Sequence, residues 1–134
     1  MPVDRSHLKS AMAAILDVLA EEHTVGHQDA YARRYILTTR SGRRIELMFE
    51  QSPKTPANLW IQSCVAGPLT TSGIKQRESL ASSLYSAIGK NGDAHYGRHS
   101  ALEKMPSLGK TDLICFQPES LAEAGRILDQ LLAV

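Results

Sequence analysis

Hydrophobic positions recur along this chain in two rhythms. Leu8, Met12, Ile15 and Leu19 return every three or four residues, the spacing that lines one face of an α-helix. Ser6 stands where an N-cap would accept from first-turn amides, and this first helix is expected to end near Glu22 or His23. The rhythm then shortens. Tyr31 to Thr39 is rich in β-branched and aromatic residues, and Arg43 to Glu50 alternates Ile45, Leu47 and Phe49 with Arg44, Glu46 and Glu50; both patterns predict strands. Ser41-Gly42 between them reads as a two-residue hairpin loop. In that register 38 faces 45, 36 faces 47 and 34 faces 49. Ile36, Ile45, Leu47 and Phe49 would share one apolar face, with Arg33 opposite Glu50 and Thr39 opposite Arg44 on the other.

Pro53 and Pro56 mark a turn, Asn58 to Val65 makes a third strand around Trp60, and Gly67-Pro68 ends it. A second helix is expected from Ile74 to Ile88, with Ser72 as its cap, Leu80, Leu84, Ala87 and Ile88 as its buried stripe, and Gly89 as its stop. After the irregular segment Lys90 to Lys110, Leu113 to Phe116 is continuously apolar, the mark of a strand buried on both faces. Pro118 opens a last helix with Glu119 and Glu123 near its positive end and Leu121, Ala124, Leu128 and Leu131 along one stripe. The order α-β-β-β-α-loop-β-α predicts one α+β domain spanning 1–134. Its small, mainly antiparallel sheet would carry helices mostly on one face, with Ile36, Ile45, Leu47, Phe49, Leu84, Leu113, Ile114, Leu128 and Leu131 in one core.

Composition narrows the class. The 134 residues are 43% hydrophobic and 22% charged, which argues against wholesale disorder. Cys64 and Cys115 each lie in an apolar stretch with no cysteine nearby, so both are expected as buried, reduced thiols of a cytoplasmic protein. The apolar segment 11–20 follows Arg5 and Lys9 as a signal peptide would. Asp17 interrupts it, Glu21 and Glu22 follow, and no small-residue cleavage site comes next, so it reads as part of the domain. No run approaches the roughly 18 apolar residues of a membrane span, and no membrane partner is expected.

The net charge is +1, unevenly spread: 31–44 holds five arginines and no acid, while both ends are acidic. Such a dipolar surface can steer an anionic partner, although the total is far below that of a dedicated nucleic-acid binder.

Candidate chemistry concentrates in the 90–110 loop, because long irregular segments on a rigid scaffold are where binding groups gather. His95, Tyr96, Arg98, His99, Ser100 and Lys104 are its candidate ligand-binding residues. Arg98 offers a planar donor fork for phosphate or carboxylate, the histidines exchange protons near neutral pH, and Gly97 lets backbone amides approach an anion. Ser100 would cap a short helix through Leu102 to Met105 whose free amides add to the site. The structural alternative has Arg98 tying the loop to an acidic helix while Tyr96 and His99 pack. Arg40, Arg43 and Arg44 at the hairpin tip would track a phosphate backbone, or simply protect an edge. Trp60 would stack on a base or pack into the core.

Other chemistries find less support. His95-x3-His99 and His23-x3-His27 have metal-ligand spacing, but each pair contains a helix-breaking glycine and lacks further ligands, so no metal is assigned. There is no Gly-x-Ser-x-Gly elbow and no Gly-rich phosphate loop. Glu46 and Glu50 read as a cross-strand charge ladder with Arg33 and Arg44 on an exposed face. No catalytic residue and no cofactor is assigned. The chain reads as a non-enzymatic binding protein for nucleic acid or a phosphorylated ligand. The alternatives are a protein-interaction module, such as a chaperone, an accessory subunit or a homodimer, and a small enzyme using His95 or His99 as base.

Overall fold

In the computed structural model two helices and six strands are formed by the described residues, which are 5–28, 31–85, 92 and 96–134, with Arg5 described by its backbone alone. Helix α1 is Arg5–Leu19. Strands β1 (Glu21–Glu22), β2 (Ala32–Thr38), β3 (Arg44–Glu50), β4 (Leu59–Gln62), β5 (Gln76–Ser79) and β6 (Leu113–Phe116) precede helix α2 (Leu121–Leu132). The strands form one sheet in the order β1-β2-β3-β4-β6-β5, with every neighbouring pair antiparallel. The α+β class and the antiparallel sheet are those the alternation predicts.

The hairpin register differs from the expected one by a single residue. Leu37 faces Ile45, Tyr35 faces Leu47, Arg33 faces Phe49 and Ala32 faces Glu50. The cause is the loop. The Thr39 amide donates to Arg43 O, so Arg40, Ser41 and Gly42 make a three-residue connection, closed by the Gly42 amide on Thr39 O with Gly42 at φ +89°. A turn followed by a left-handed glycine is the usual three-residue solution. Because side chains alternate with period two, one step of slip moves a whole strand set to the other face. Tyr35 and Leu37, not Ile36, therefore join Ile45, Leu47 and Phe49 in the main core, and Arg33 pairs with Asp17 of α1 at 2.7 Å rather than with Glu50.

Further departures concern the helices. The buried stripe of α1 is Leu8, Met12 and Leu16, while Ile15 and Leu19 are exposed. Ser6 lies within its first turn, and the helix stops at Leu19 because Glu21 and Glu22 pair with Ile36 and Tyr35. The helix expected over 74–88 is instead edge strand β5, followed by a 3-10 turn at Ala81–Ser83; residues 86–90 lie outside the described residues. Leu80 is exposed and Leu84 is buried, but outside the main core. At α2 the helix is found, but it begins at Leu121 rather than at Pro118, and Leu121 is exposed at its start instead of sharing the buried stripe. Ser120 caps it by accepting from the Glu123 amide, and Glu123 Oε1 accepts from the Glu119 amide, which satisfies donors that the first helical turn leaves free. Ile127 joins Ala124, Leu128 and Leu131 on its inner face.

Both faces of the sheet are covered. Tyr35, Leu37, Ile45, Leu47, Phe49, Leu59, Ile61, Ile114 and Phe116 face α1 and α2. On the other side Ala32, Met48, Trp60, Leu113 and Cys115 pack against Ala101, Leu102, Met105 and Leu108. Leu113, expected in the first core, belongs to this second one. The segment 96–110 is thus a covering layer.

Candidate functional site

Arg98 shows how that layer is held. A guanidinium has five N–H donors, and Arg98 uses all of them. Nε donates to Ser79 Oγ at 2.7 Å; one terminal nitrogen donates to Leu108 O and Gly109 O at 3.2 and 3.3 Å; the other donates to Ser79 O and Thr111 O at 2.8 and 2.6 Å. The side chain joins the outer edge of β5 to the end of the covering segment, and its partners are four main-chain carbonyls and the Ser79 hydroxyl rather than an acidic helix. Tyr96 adds a bond from its hydroxyl to Gly109 O at 2.6 Å, and burial pushes this phenol above its ordinary range. A side chain at Gly109 would meet the carbonyls of Met105, Glu103 and Leu102 at 2.8 to 3.0 Å, so only glycine lets this turn close so tightly.

Two strand residues fasten the same layer from below. Glu46 Oε1 accepts from the Ser107 and Leu108 amides at 2.7 and 2.9 Å, and its Oε2 lies 2.6 Å from His23 Nε2. His23 Nδ1 accepts from the Val25 amide, which places the proton of a neutral ring on Nε2. Buried Arg34 donates to Gly26 O and Ala101 O at 2.5 and 3.1 Å. Glu46 is therefore no rung of an exposed charge ladder.

The expected site residues divide into separate places. His95 lies outside the described residues. Ser100 and Lys104 are exposed, and the short 3-10 turn Ser100–Leu102 is capped by His99, whose Nδ1 accepts from the Ala101 amide at 3.1 Å, not by Ser100. Arg40, Arg43 and Arg44 are exposed at the hairpin tip, where Arg40 N donates to Leu132 O at the end of α2 and Ser41 Oγ donates to Val134 O just beyond it. Arg44 is paired with Glu21 at 2.6 Å; Arg40 and Arg43 have no ion pair among the described residues. At about 3.3 Å per residue, β3 carries the chain about 20 Å from this tip to Glu50, so tip and loop do not form one patch.

At that far end a cleft of about 260 Å³ opens between β5 and the covering segment, lined by Glu50, Trp60, Arg77, Ser79, Gly97, Arg98 and His99. Glu50, Trp60, Arg77 and Ser79 are brought together by the pleat. Trp60 faces Cys115, Cys115 faces Arg77, and Met48 faces Trp60 on the other side, so alternate residues of four strands point to one face. Glu50 is only 5% exposed. Its Oε2 accepts from Trp60 Nε1 at 2.7 Å and Asn58 Nδ2 at 3.0 Å, while its Oε1 accepts from no described residue. The Arg77 Cζ sits 5.0 Å from the Trp60 ring centroid, a cation–π contact. No described carboxylate or carbonyl accepts from Arg77, and neither Arg77 nor Glu50 belongs to an ion pair among the described residues. Beneath them burial pushes the Cys115 thiol up to about 12, against the opposing pull of Arg77.

The cleft thus offers an open guanidinium, an indole platform already covered by it, a buried carboxylate with a spare oxygen, and the positive field of Arg98. These groups are of the kind that form charge pairs, hydrogen bonds and stacking contacts. Of the loop candidates, Arg98 and His99 reach this cleft. Arg77 and Ser79 escaped notice in the sequence because β5 read as a helix, which scatters 77 and 79 to different sides, and Glu50 read as a rung of an exposed charge ladder although it is buried. Among the described residues no three His, Cys, Asp or Glu side chains converge to hold a metal ion, and no helix is long and apolar enough to cross a membrane. Cys64, expected in a core strand, is exposed on a 3-10 turn, and both cysteines are free thiols. The chain matches no protein-family model, no curated protein and no solved structure.

Proposed function

We propose that this protein is a non-enzymatic binding protein that takes a small ligand bearing an anionic group, phosphate or carboxylate, in the cleft between β5 and the covering segment. The observation that carries the reading is Arg77. Its guanidinium is held in place over Trp60 while its donors have no oxygen acceptor among the described residues. A planar donor fork so placed suits a bidentate anion, and Arg98 adds charge although its own donors are engaged. Titration calorimetry with inorganic phosphate and with acetate tests this at fixed ionic strength. At least one should bind the parent protein, and Arg77→Gln should weaken it about tenfold or more, the loss of one charge-assisted pair. Unchanged binding in that variant, or none in the parent, would reject the cleft as an anion site. The nucleic-acid form of the reading rests on Arg40 and Arg43 at the distant tip.

A protein-interaction role is the second reading, favoured by the outer face of α1. Ile15, Val18 and Leu19 lie there at helical spacing, with Val18 85% exposed, and exposed apolar stripes of this kind mark contacts between proteins. Light scattering of the parent and of Val18→Glu would reveal self-association as a shift in mass.

A further inference from the structure

We infer that the ligand of this cleft is a zwitterion of amino-acid size, its carboxylate on Arg77 and its ammonium on Glu50, which rests on the reading of the cleft as an anion site and narrows it. The cleft holds two opposite charges that do not neutralise each other. Glu50 is buried, and a buried carboxylate without a counter-charge is costly. Its neutral donors, Trp60 and Asn58, both bind Oε2, leaving Oε1 on the cleft side. Glu50 Oε1 therefore lacks a donor among the described residues, and an ammonium carries three. Arg77 is the converse, a donor fork that meets the Cys115 thiol but no oxygen acceptor among the described residues.

Trp60 sets the span between them. The Arg77 Cζ lies 5.0 Å from the centroid of its ring, and Glu50 Oε2 lies 2.7 Å from its Nε1, so both charges border one indole and are within reach of one small molecule. The volume of about 260 Å³ falls below the range of drug-sized pockets, as a ligand of a few heavy atoms requires. A phosphate or a simple carboxylate would satisfy Arg77 but meet the repulsion of Glu50; a simple amine would do the reverse. Only a molecule with both ends uses the whole site.

Calorimetry with glycine, β-alanine and 4-aminobutyrate, set beside acetate, methylammonium and inorganic phosphate, separates the outcomes. At least one zwitterion should bind the parent about tenfold tighter than both acetate and methylammonium. Glu50→Gln, which keeps an oxygen for Trp60, should lose that advantage while holding or improving acetate binding; Arg77→Gln, at an exposed position, should lose both. If acetate or phosphate binds as tightly as every zwitterion, the inference fails and the anion reading stands. If no zwitterion and no simple anion binds the parent, both fail together. These comparisons on the parent decide the matter even if Glu50→Gln does not fold.

Discussion

The two cysteines show how little residue type says about reactivity. Both sit in apolar stretches, yet Cys64 is exposed on a turn and Cys115 is buried on β6 under Arg77 and Trp60. The nucleophile is the thiolate, and burial pushes the Cys115 pKa up to about 12, so at neutral pH that thiol stays protonated as well as enclosed. Iodoacetamide added to the native protein should therefore leave one adduct, on Cys64, and two after unfolding, as read by peptide mass spectrometry. Rapid native labelling of Cys115 would mean that the cleft floor opens. Glu46 and Glu50 carry the same lesson. In an alternating strand a carboxylate reads as solvent-facing, but Glu46 takes amides that lie 61 and 62 residues further along the chain.

At the scale of elements, the β2–β3 hairpin turns on one residue of loop length. With three residues in the loop, Leu47 is fully buried among the helix-facing side chains while Ile36 lies half-buried on the opposite face. Leu47→Ala should cost about 2–5 kcal/mol as a core cavity, whereas Ile36→Ala should cost about 1 kcal/mol, with less apolar area to lose. Urea unfolding midpoints at constant slope measure both. Equal losses would instead fit the two-residue loop. Helix α2 was readable because its acidic start and most of its stripe are local, although its Ser120 cap went unread. Strand β5 was not, since Gln76–Ser79 is short and mostly polar, and its strand character comes from pairing with β6.

For the whole molecule, the segment 96–110 matters most as a layer. The sheet has apolar residues on both sides, and without this cover Met48, Trp60, Leu113 and Cys115 would face water. Arg98 fastens the cover through four carbonyls and one hydroxyl. Arg98→Ala leaves these acceptors without their donor and should destabilise the protein by about 2–4 kcal/mol. Arg98→Lys should recover only part, because one ammonium cannot reach both Ser79 and the 108–111 turn. Thermal unfolding reads the difference. An unchanged melting temperature in Arg98→Ala would mean that Glu46 and the apolar contacts hold the layer unaided. The clustering of Tyr96, Arg98 and His99 in one irregular segment was visible in the sequence; that Arg98 would spend every donor within the protein was not, because its partners lie on two other stretches of chain, at Ser79 and at 108–111.

The sequence by itself determined what depends on near neighbours. It specified the two helices and part of each apolar stripe, strands β2, β3, β4 and β6 to within a few residues, the α+β class, and the basic middle between acidic ends. Only the tertiary structure decided the hairpin register, the strand at 76–79, the second covered face and the meeting of Glu50 with Arg77. The physical reason is the same in each case. A strand's side chains alternate, so a strand fixes which residues share a face but not which face is buried or which strand lies alongside. Those choices are made by loop geometry and by hydrogen bonds between residues far apart in the chain.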